Sequence, residues 1–367
     1  MDGYAVRRRD LVGAHAEAPI ELPIAYEVPA GGHALRPLEA GEAARIFTGA
    51  PLPPGADAIV RQEDTQSDAA EDARVRFLVE PKPREHVRDS GEDFEIGDRL
   101  IEADTRLAAS HLGVLASVGR TIVSVWQRPR VALLSGGDEL VEPDRPADAG
   151  QIVSSNSYTL AAQCREVGAQ PIYLGIAEDR PESIEARLRG GLHADVIVSS
   201  AGVSVGDHDH VRGVLEKMGC ALRFWGVLMK PGYPLAFGEI EATGTLVFGL
   251  PGNPVSTAVT FEQFVRPALR KMMGHRAIHR PVIRATLTEE LRKGAGRLHF
   301  VRVGLEAGEG GWLAKPTGNQ SSGVLTSMIR GQGLAIFPLE AERLEAGAEV
   351  DVQILDPEFF DQIERGF

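Results

Sequence analysis

Five short stretches of the chain gather carboxylates, glycines, hydroxyls or a lone lysine where apolar runs end. In SGGDEL (135–140), Ser135, Gly136 and Gly137 can present backbone N–H groups to an anion. Asp138 and Glu139 follow at once. Carboxylates beside an anion-binding turn suit magnesium, which takes carboxylate and phosphate oxygens; a surface acidic turn is the alternative. In AEDRP (177–181), Asp179 stands just before a helix start, where it either faces a ligand or caps the helix. In SSAGVSVGDHDH (199–210), Gly202, Ser204 and Gly206 allow close backbone approach, and Asp207 and Asp209 precede a helix. His208 and His210 have no third imidazole or thiol at ligand spacing, which favours a solvated loop.

Lys230, in MKPGYP (229–234), stands between an apolar run and a Pro-Gly turn. There it meets a phosphate or oxyanion, or else is a solvated turn lysine. In FGLPGNPVST (248–257), Asn253 reads as an N-cap and Pro254 as the first helical residue. The N–H groups of Val255, Ser256 and Thr257 are then expected to be free beside the Ser256 hydroxyl. That makes an anion seat without a lysine, although capping alone also explains Asn-Pro. No Gly-x-Ser-x-Gly elbow, HExxH, Walker lysine or dinucleotide fingerprint is present.

These turns need a sheet to bring them together. RVALLSG (130–136), QPIYLGIA (170–177), ADVIVSSAG (194–202) and LVFGL (246–250) read as strands. They alternate with helical patterns at 156–169, 180–192, 209–219 and 255–274, with Asn156 as a candidate N-cap. Alternation of this kind implies βαβ units and a mostly parallel sheet, whose ligands bind at the carboxyl ends of the strands. The α/β domain is placed at 127–277. Residues 1–94 show short extended runs between Pro and Gly clusters, as expected of a small β domain. A connecting helical region is expected over 95–126, its helix at 104–119 burying Leu107, Leu112, Val114, Leu115 and Val118. Residues 278–367 alternate again and suggest a β-barrel.

Composition narrows the class. Lys plus Arg is 39 against 52 Asp plus Glu, a net charge of −13, which disfavours a nucleic-acid partner. No apolar run reaches the ~18 residues of a membrane span, and MDGYAVRRRD has no secretory pattern. Cys164 and Cys220 fit reduced core thiols, and cytoplasm is the expected compartment.

As a set, MDGYAV (1–6), RIFTGAPLPPGADAIV (45–60), GEDFEIGD (91–98), SGGDEL, VSVGDHD (203–209), MKPGYP, FGLPGNPVS and GNQSSGVLTSM (318–328) resemble the molybdopterin molybdenumtransferase (MoeA) family, relatives of the gephyrin E domain. The resemblance implies a three-layer α/β molybdopterin-binding domain between a small β domain and a C-terminal β-barrel. It further implies insertion of molybdenum from molybdate into adenylated molybdopterin, with magnesium-assisted release of AMP. Implied partners are a second copy in a homodimer, the molybdopterin-adenylating enzyme and molybdoenzyme maturation proteins.

Carried over motif by motif, Asp2, Thr48 and Asp93 reach the cleft from the β domain. Glu139, Asp179 and Asp209 lie near magnesium and the nucleotide. The substrate-binding set is Ser135, Gly136, Gly137, Asp138, Gly202, Ser204, Gly206, Pro251, Gly252, Asn253 and Pro254. Lys230, Ser256, Arg297 and Ser322 face molybdate. The chain departs from the family at Tyr233 and Gly226, where relatives carry lysine, and at Gly136 and Ala201. Relatives also carry residues ahead of MDGYA, so part of the connecting region is expected to lie outside this chain. Two other readings share these motifs: a gephyrin-like scaffold, and a molybdopterin adenylyltransferase.

Overall fold

The computed structural model describes residues 2–66, 74–200 and 210–361. Two compact units divide the chain, residues 1–101 and 102–367.

The first unit is a six-stranded sheet of order β4-β1-β3-β2-β6-β5. Its strands are β1 (Gly3–Val6), β2 (His15–Val28), β3 (Ala43–Ile46), β4 (Ala58–Arg61), β5 (Thr65–Gln66) and β6 (Arg74–Val79). Strand β1 is central and fully buried, between β3 and β4. Gly3 is obligatory there, because a Cβ would collide with the Val60 carbonyl.

The second unit begins with helix α1 (Ala109–Ser117), none of whose residues is buried. This corrects the expected buried stripe: the helix is shorter than 104–119, and Leu112 and Val118 are exposed. The α/β sheet has order β10-β7-β11-β15-β14-β12. Parallel strands β7 (Arg130–Gly136), β10 (Gln170–Ala177), β11 (Val196–Ser199) and β15 (Thr245–Gly249) match the expected runs. A short parallel pair, β8 (Leu140–Val141) and β9 (Ile152–Val153), lies beyond β7. The antiparallel edge, β12 (Cys220–Trp225) and β14 (Ala236–Ile240), is absent from the periodicity reading.

Period-2 alternation sends successive side chains of β7 to opposite faces. Val131 and Leu133 pack against α2 (Asn156–Val167) and the long helix that follows β15. Ala132 and Leu134 pack against α3 (Pro181–Arg189) and α4 (His210–Lys217). Each fully buried leucine here stabilises the sheet by roughly 1.5–3 kcal/mol. The long helix runs as α5 (Pro254–Thr260), a π-helical turn (Phe261–Val265) and α6 (Arg266–Met272). Pro267 has no N–H to continue the i→i−4 ladder, which accounts for the widened turn just ahead of it.

A closed five-stranded barrel completes the unit. Its strands are β16 (Val282–Leu287), β18 (Leu298–Gly308), β19 (Gly311–Pro316), β20 (Gly333–Phe337) and β22 (Glu349–Ile354). The pairing of β18 with β20 closes it, and β13 (Met229–Lys230) adds to β18 in parallel. A minor ladder of β17 (Leu291–Arg292) and β21 (Arg343–Leu344), and helix α7 (Thr326–Ile329), lie outside the ring. Met229, Phe300 and Leu334 pack on Val255 and Val259, so the barrel's outer face is bound to the start of α5.

Candidate active site

A cavity of about 450 Å³ opens at the carboxyl ends of β7, β11 and β15. That is where an open α/β sheet binds ligands, and the volume falls within the usual range for small-molecule pockets. Six expected residues line it: Gly136, Glu139, Pro251, Gly252, Asn253 and Pro254. Ser135 lies fully buried behind the wall, its Oγ 3.4 Å from the hydroxyl of Ser200, which does line the cavity. Gly202, Ser204, Gly206, Asp207, His208 and Asp209 lie outside the described residues.

The turn after β15 is built differently from expectation. Asn253 makes no side-chain capping bond. The Val255 N–H donates to the Ser322 carbonyl (3.0 Å), and the Thr257 N–H to the Asn253 carbonyl (2.9 Å). Ser256 is buried at 4% exposure and does not line the cavity. The helix start is therefore not an open seat at Val255 and Thr257. Among the described residues, the N–H groups of Gly252 and Asn253 have no acceptor, and open space surrounds Gly252. The available donors thus sit one step earlier, in the turn itself.

Two residues fix that turn. Buried Thr257 Oγ1 donates to the carbonyls of Pro251 (2.5 Å) and Asn253 (3.1 Å). Asn156 is the first residue of α2 rather than its cap, and its Nδ2 donates to the Gly252 carbonyl (2.7 Å). Asn156 lines the cavity, and its buried Oδ1 has no donor among the described residues. The sequence signal for this wall was SSNS (154–157), a cluster of small polar residues ahead of a helix.

The acids are arranged on two neighbouring turns. Asp138 Oδ1 accepts the Asp179 N–H at 3.0 Å, tying the turn after β7 to the turn after β10. Arg180 occupies the N-cap of α3, so Asp179 does not cap it. The carboxylates of Glu139 and Asp179 are exposed and make no hydrogen bond or ion pair among the described residues. Two unengaged carboxylates fit magnesium, which keeps most of its waters and takes few protein ligands. Among the described residues no three His, Cys, Asp or Glu side chains converge as a metal site.

Lys230 and Arg297 are both exposed, and neither pairs with a carboxylate among the described residues. Lys230 lies on β13, in register with His299, and the Leu298 N–H reaches the Leu228 carbonyl (2.8 Å). The pairing thus draws Arg297, just ahead of β18, to the loop that carries Lys230. Neither lines the cavity; Pro234, from the same loop as Lys230, does.

Arg302 was not anticipated. It is fully buried without a carboxylate, and burial pulls its pKa down to about 10. Its Nε donates to Ser327 Oγ (3.1 Å) and its Nη2 to the Ser321 carbonyl (3.1 Å). Gln320 adds a two-way bond with the Arg302 backbone, 2.9 and 3.0 Å. These contacts hold the loop that lays Ser322 on the start of α5. A lone arginine in the apolar run HFVRVGL was its only trace in the sequence.

In the first unit, Asp2 Oδ1 accepts both the N–H and the hydroxyl of Thr48, each at 2.9 Å. Those bonds, the N–H first, hold the Asp2 carboxyl below the usual carboxylate range. Registry of Gly3 with Ile46 brings the two residues to one sheet end. Asp93 is exposed in a bend.

Comparisons with known proteins accord with this arrangement. The MoeA N-terminal region (domain I and II) matches residues 1–119, the probable molybdopterin binding domain residues 132–271, and the MoeA C-terminal region (domain IV) residues 284–355. The molybdopterin molybdenumtransferase of Nostoc sp. is 39% identical over 95% of this chain and 80% of its own length. The chain belongs to the molybdopterin molybdenumtransferase family. A second such protein, from Haemophilus influenzae, is 35% identical over 96% of this chain and 86% of its own. The crystal structure of a MoeA molybdopterin biosynthesis protein from Pyrococcus horikoshii superposes with a TM-score of 0.78 at 33% identity, covering 96% of this chain and 86% of that one. Members of this family are enzymes of molybdenum cofactor biosynthesis. Among the described residues no helix is long and apolar enough to cross a membrane.

Proposed function

We propose that this chain inserts molybdenum, supplied as molybdate, into adenylated molybdopterin and releases AMP, in the cytoplasm. The observation that carries this reading is the division of the site. Among the described residues, the carboxylates of Glu139 and Asp179, in turns at the sheet edge, are unengaged, and Lys230 and Arg297, at the β13–β18 pairing, meet no carboxylate. The Gly252–Asn253 turn supplies uncharged donors for a phosphate. Asn156 Oδ1 offers a buried acceptor to a ring N–H such as a pterin carries. Lys230 and Arg297 meet the oxyanion, with guanidinium geometry suited to two oxygens at once. Glu139, Asp179 and Asp209 would hold magnesium, which when bound neutralises charge on the departing phosphate.

A homodimer is part of the proposal. Ile122, Val125 and Trp126 are exposed at 90%, 70% and 59%, directly after the unburied helix α1. A contiguous apolar stretch of this kind fits a second copy. Light scattering should show a dimer that Ile122→Asp disrupts; a monomer at micromolar concentration would remove this part. The adenylating enzyme that supplies the substrate and the proteins that accept the cofactor are the expected partners.

The central test is AMP release by purified protein given adenylated molybdopterin. Turnover should require both molybdate and magnesium, and Lys230→Ala should abolish it without changing the melting temperature. Absence of turnover with all components present would refute the assignment.

A further inference from the structure

Arg297 has an aromatic neighbour whose placement is unusually constrained. Its guanidinium carbon lies over the Tyr233 ring, 4.5 Å from the centroid. The Tyr233 carbonyl accepts the N–H groups of Val227 (3.0 Å) and Leu235 (2.9 Å), and Gly226 N–H reaches the Leu235 carbonyl (2.7 Å). Three bonds thus close the 226–235 loop beneath the ring. Trp225 meets the ring edge-on, centroids 6.0 Å apart at 89°. Gly226 has φ +78°, a conformation that side chains resist, and a Cβ there would lie 3.7 Å from the Tyr233 ring. The loop bonds place the Tyr233 backbone, and Trp225 packs against one edge of its ring.

The contact with Arg297 uses the face of the ring and none of the guanidinium's donors. No hydrogen bond or ion pair engages Arg297 among the described residues. An exposed arginine ordinarily samples many rotamers, and this one is held with its donors unspent.

We propose that Tyr233 is a positioning residue for tetrahedral oxyanions, acting through Arg297. The proposal rests on the reading of Lys230 and Arg297 as the molybdate seat. Tyr233 narrows the orientations of Arg297 before the anion arrives, so affinity improves without a second charge at this position. The hydroxyl is not needed for this, and the ring has no value once Arg297 is removed.

A double-mutant cycle tests it, with molybdate binding read by calorimetry at low salt. Tyr233→Ala should weaken binding about tenfold, the scale of a partly desolvated cation–π contact. Tyr233→Phe should bind as the parent does. Adding Tyr233→Ala to Arg297→Ala should cost no further affinity. In turnover, Tyr233→Ala should raise the molybdate KM while kcat stays within about twofold, as expected for lost ground-state binding. Thermal melts check that each variant folds. A full loss in Tyr233→Phe, an additive cycle, or a parent protein that binds no molybdate would overturn the proposal. A parent that binds molybdate without AMP release would refute the enzymatic reading alone, and the cycle would still decide the role of the ring.

Discussion

The sheet edge and the barrel face offer opposite things to the proposed site. At the sheet edge, Gly136 ends its strand, Glu139 and the Pro251–Pro254 turn follow strands within a few residues, and side-chain bonds from Asp138, Thr257 and Asn156 hold these turns. On the barrel face, Lys230, Arg297 and Ser322 come from segments far apart in sequence and depend on strand pairing and buried Arg302. Arg297 and Arg302 show the contrast within a single stretch. Among the described residues, one is exposed with every donor open, and the other is buried, its Nε and Nη2 spent on a loop and its Nη1 without a partner. The first arrangement suits chemistry at a phosphate; the second suits precise placement of an anion.

The difference can be broken deliberately. The largest effect is expected from Glu139→Gln, which keeps shape and removes charge. AMP release should fall about a thousandfold with unchanged melting, measured by chromatography of the nucleotide. Next is His299, 6% exposed, with no partner on either ring nitrogen among the described residues. Burial, then Lys230, Arg302 and Lys293, depress its pKa from 6.5 to about 4. The unfolded chain therefore binds the extra proton between pH 6.5 and 4, and stability falls as pH drops through that window. Stability from urea unfolding should fall by roughly 3 kcal/mol across it, and His299→Leu should remove that contribution.

Arg302→Met follows, at about 2 kcal/mol of stability, because the Ser321 carbonyl and the Ser327 hydroxyl each lose a donor and keep only their bonds to Val324. Unlike Glu139→Gln it should raise the molybdate KM; an unchanged KM would separate the barrel loop from the anion seat. The smallest is Thr257→Val, at about 1 kcal/mol, from the carbonyls of Pro251 and Asn253 losing a shared donor. If it also slowed AMP release tenfold, the turn would belong to chemistry as well as structure.

Legibility in the sequence follows the same division. Strands β7, β10, β11 and β15 were readable because burial on both faces makes near-continuous apolar runs. Their loops were readable because each acid or glycine lies next to its strand. Short β13 and β14 were not, since Pro231 follows one and Gly238 interrupts the other, nor was β12, whose register shifts between Leu222 and Phe224. The Val255 seat was misjudged because its acceptor, the Ser322 carbonyl, is supplied by another domain. Asn156 was misread as a cap because its target, Gly252, is remote in sequence. Helix α1 was read as buried because an apolar stripe carries no mark of what covers it.

The bond from Val255 to Ser322 has a practical use. Amides in the first turn of a helix normally face water and exchange quickly. This one can take up deuterium only when the 318–323 loop lifts from the helix. Its uptake rate is thus a native clock for opening of the seat. Bound oxyanion should slow that clock, at a position that itself touches no ligand.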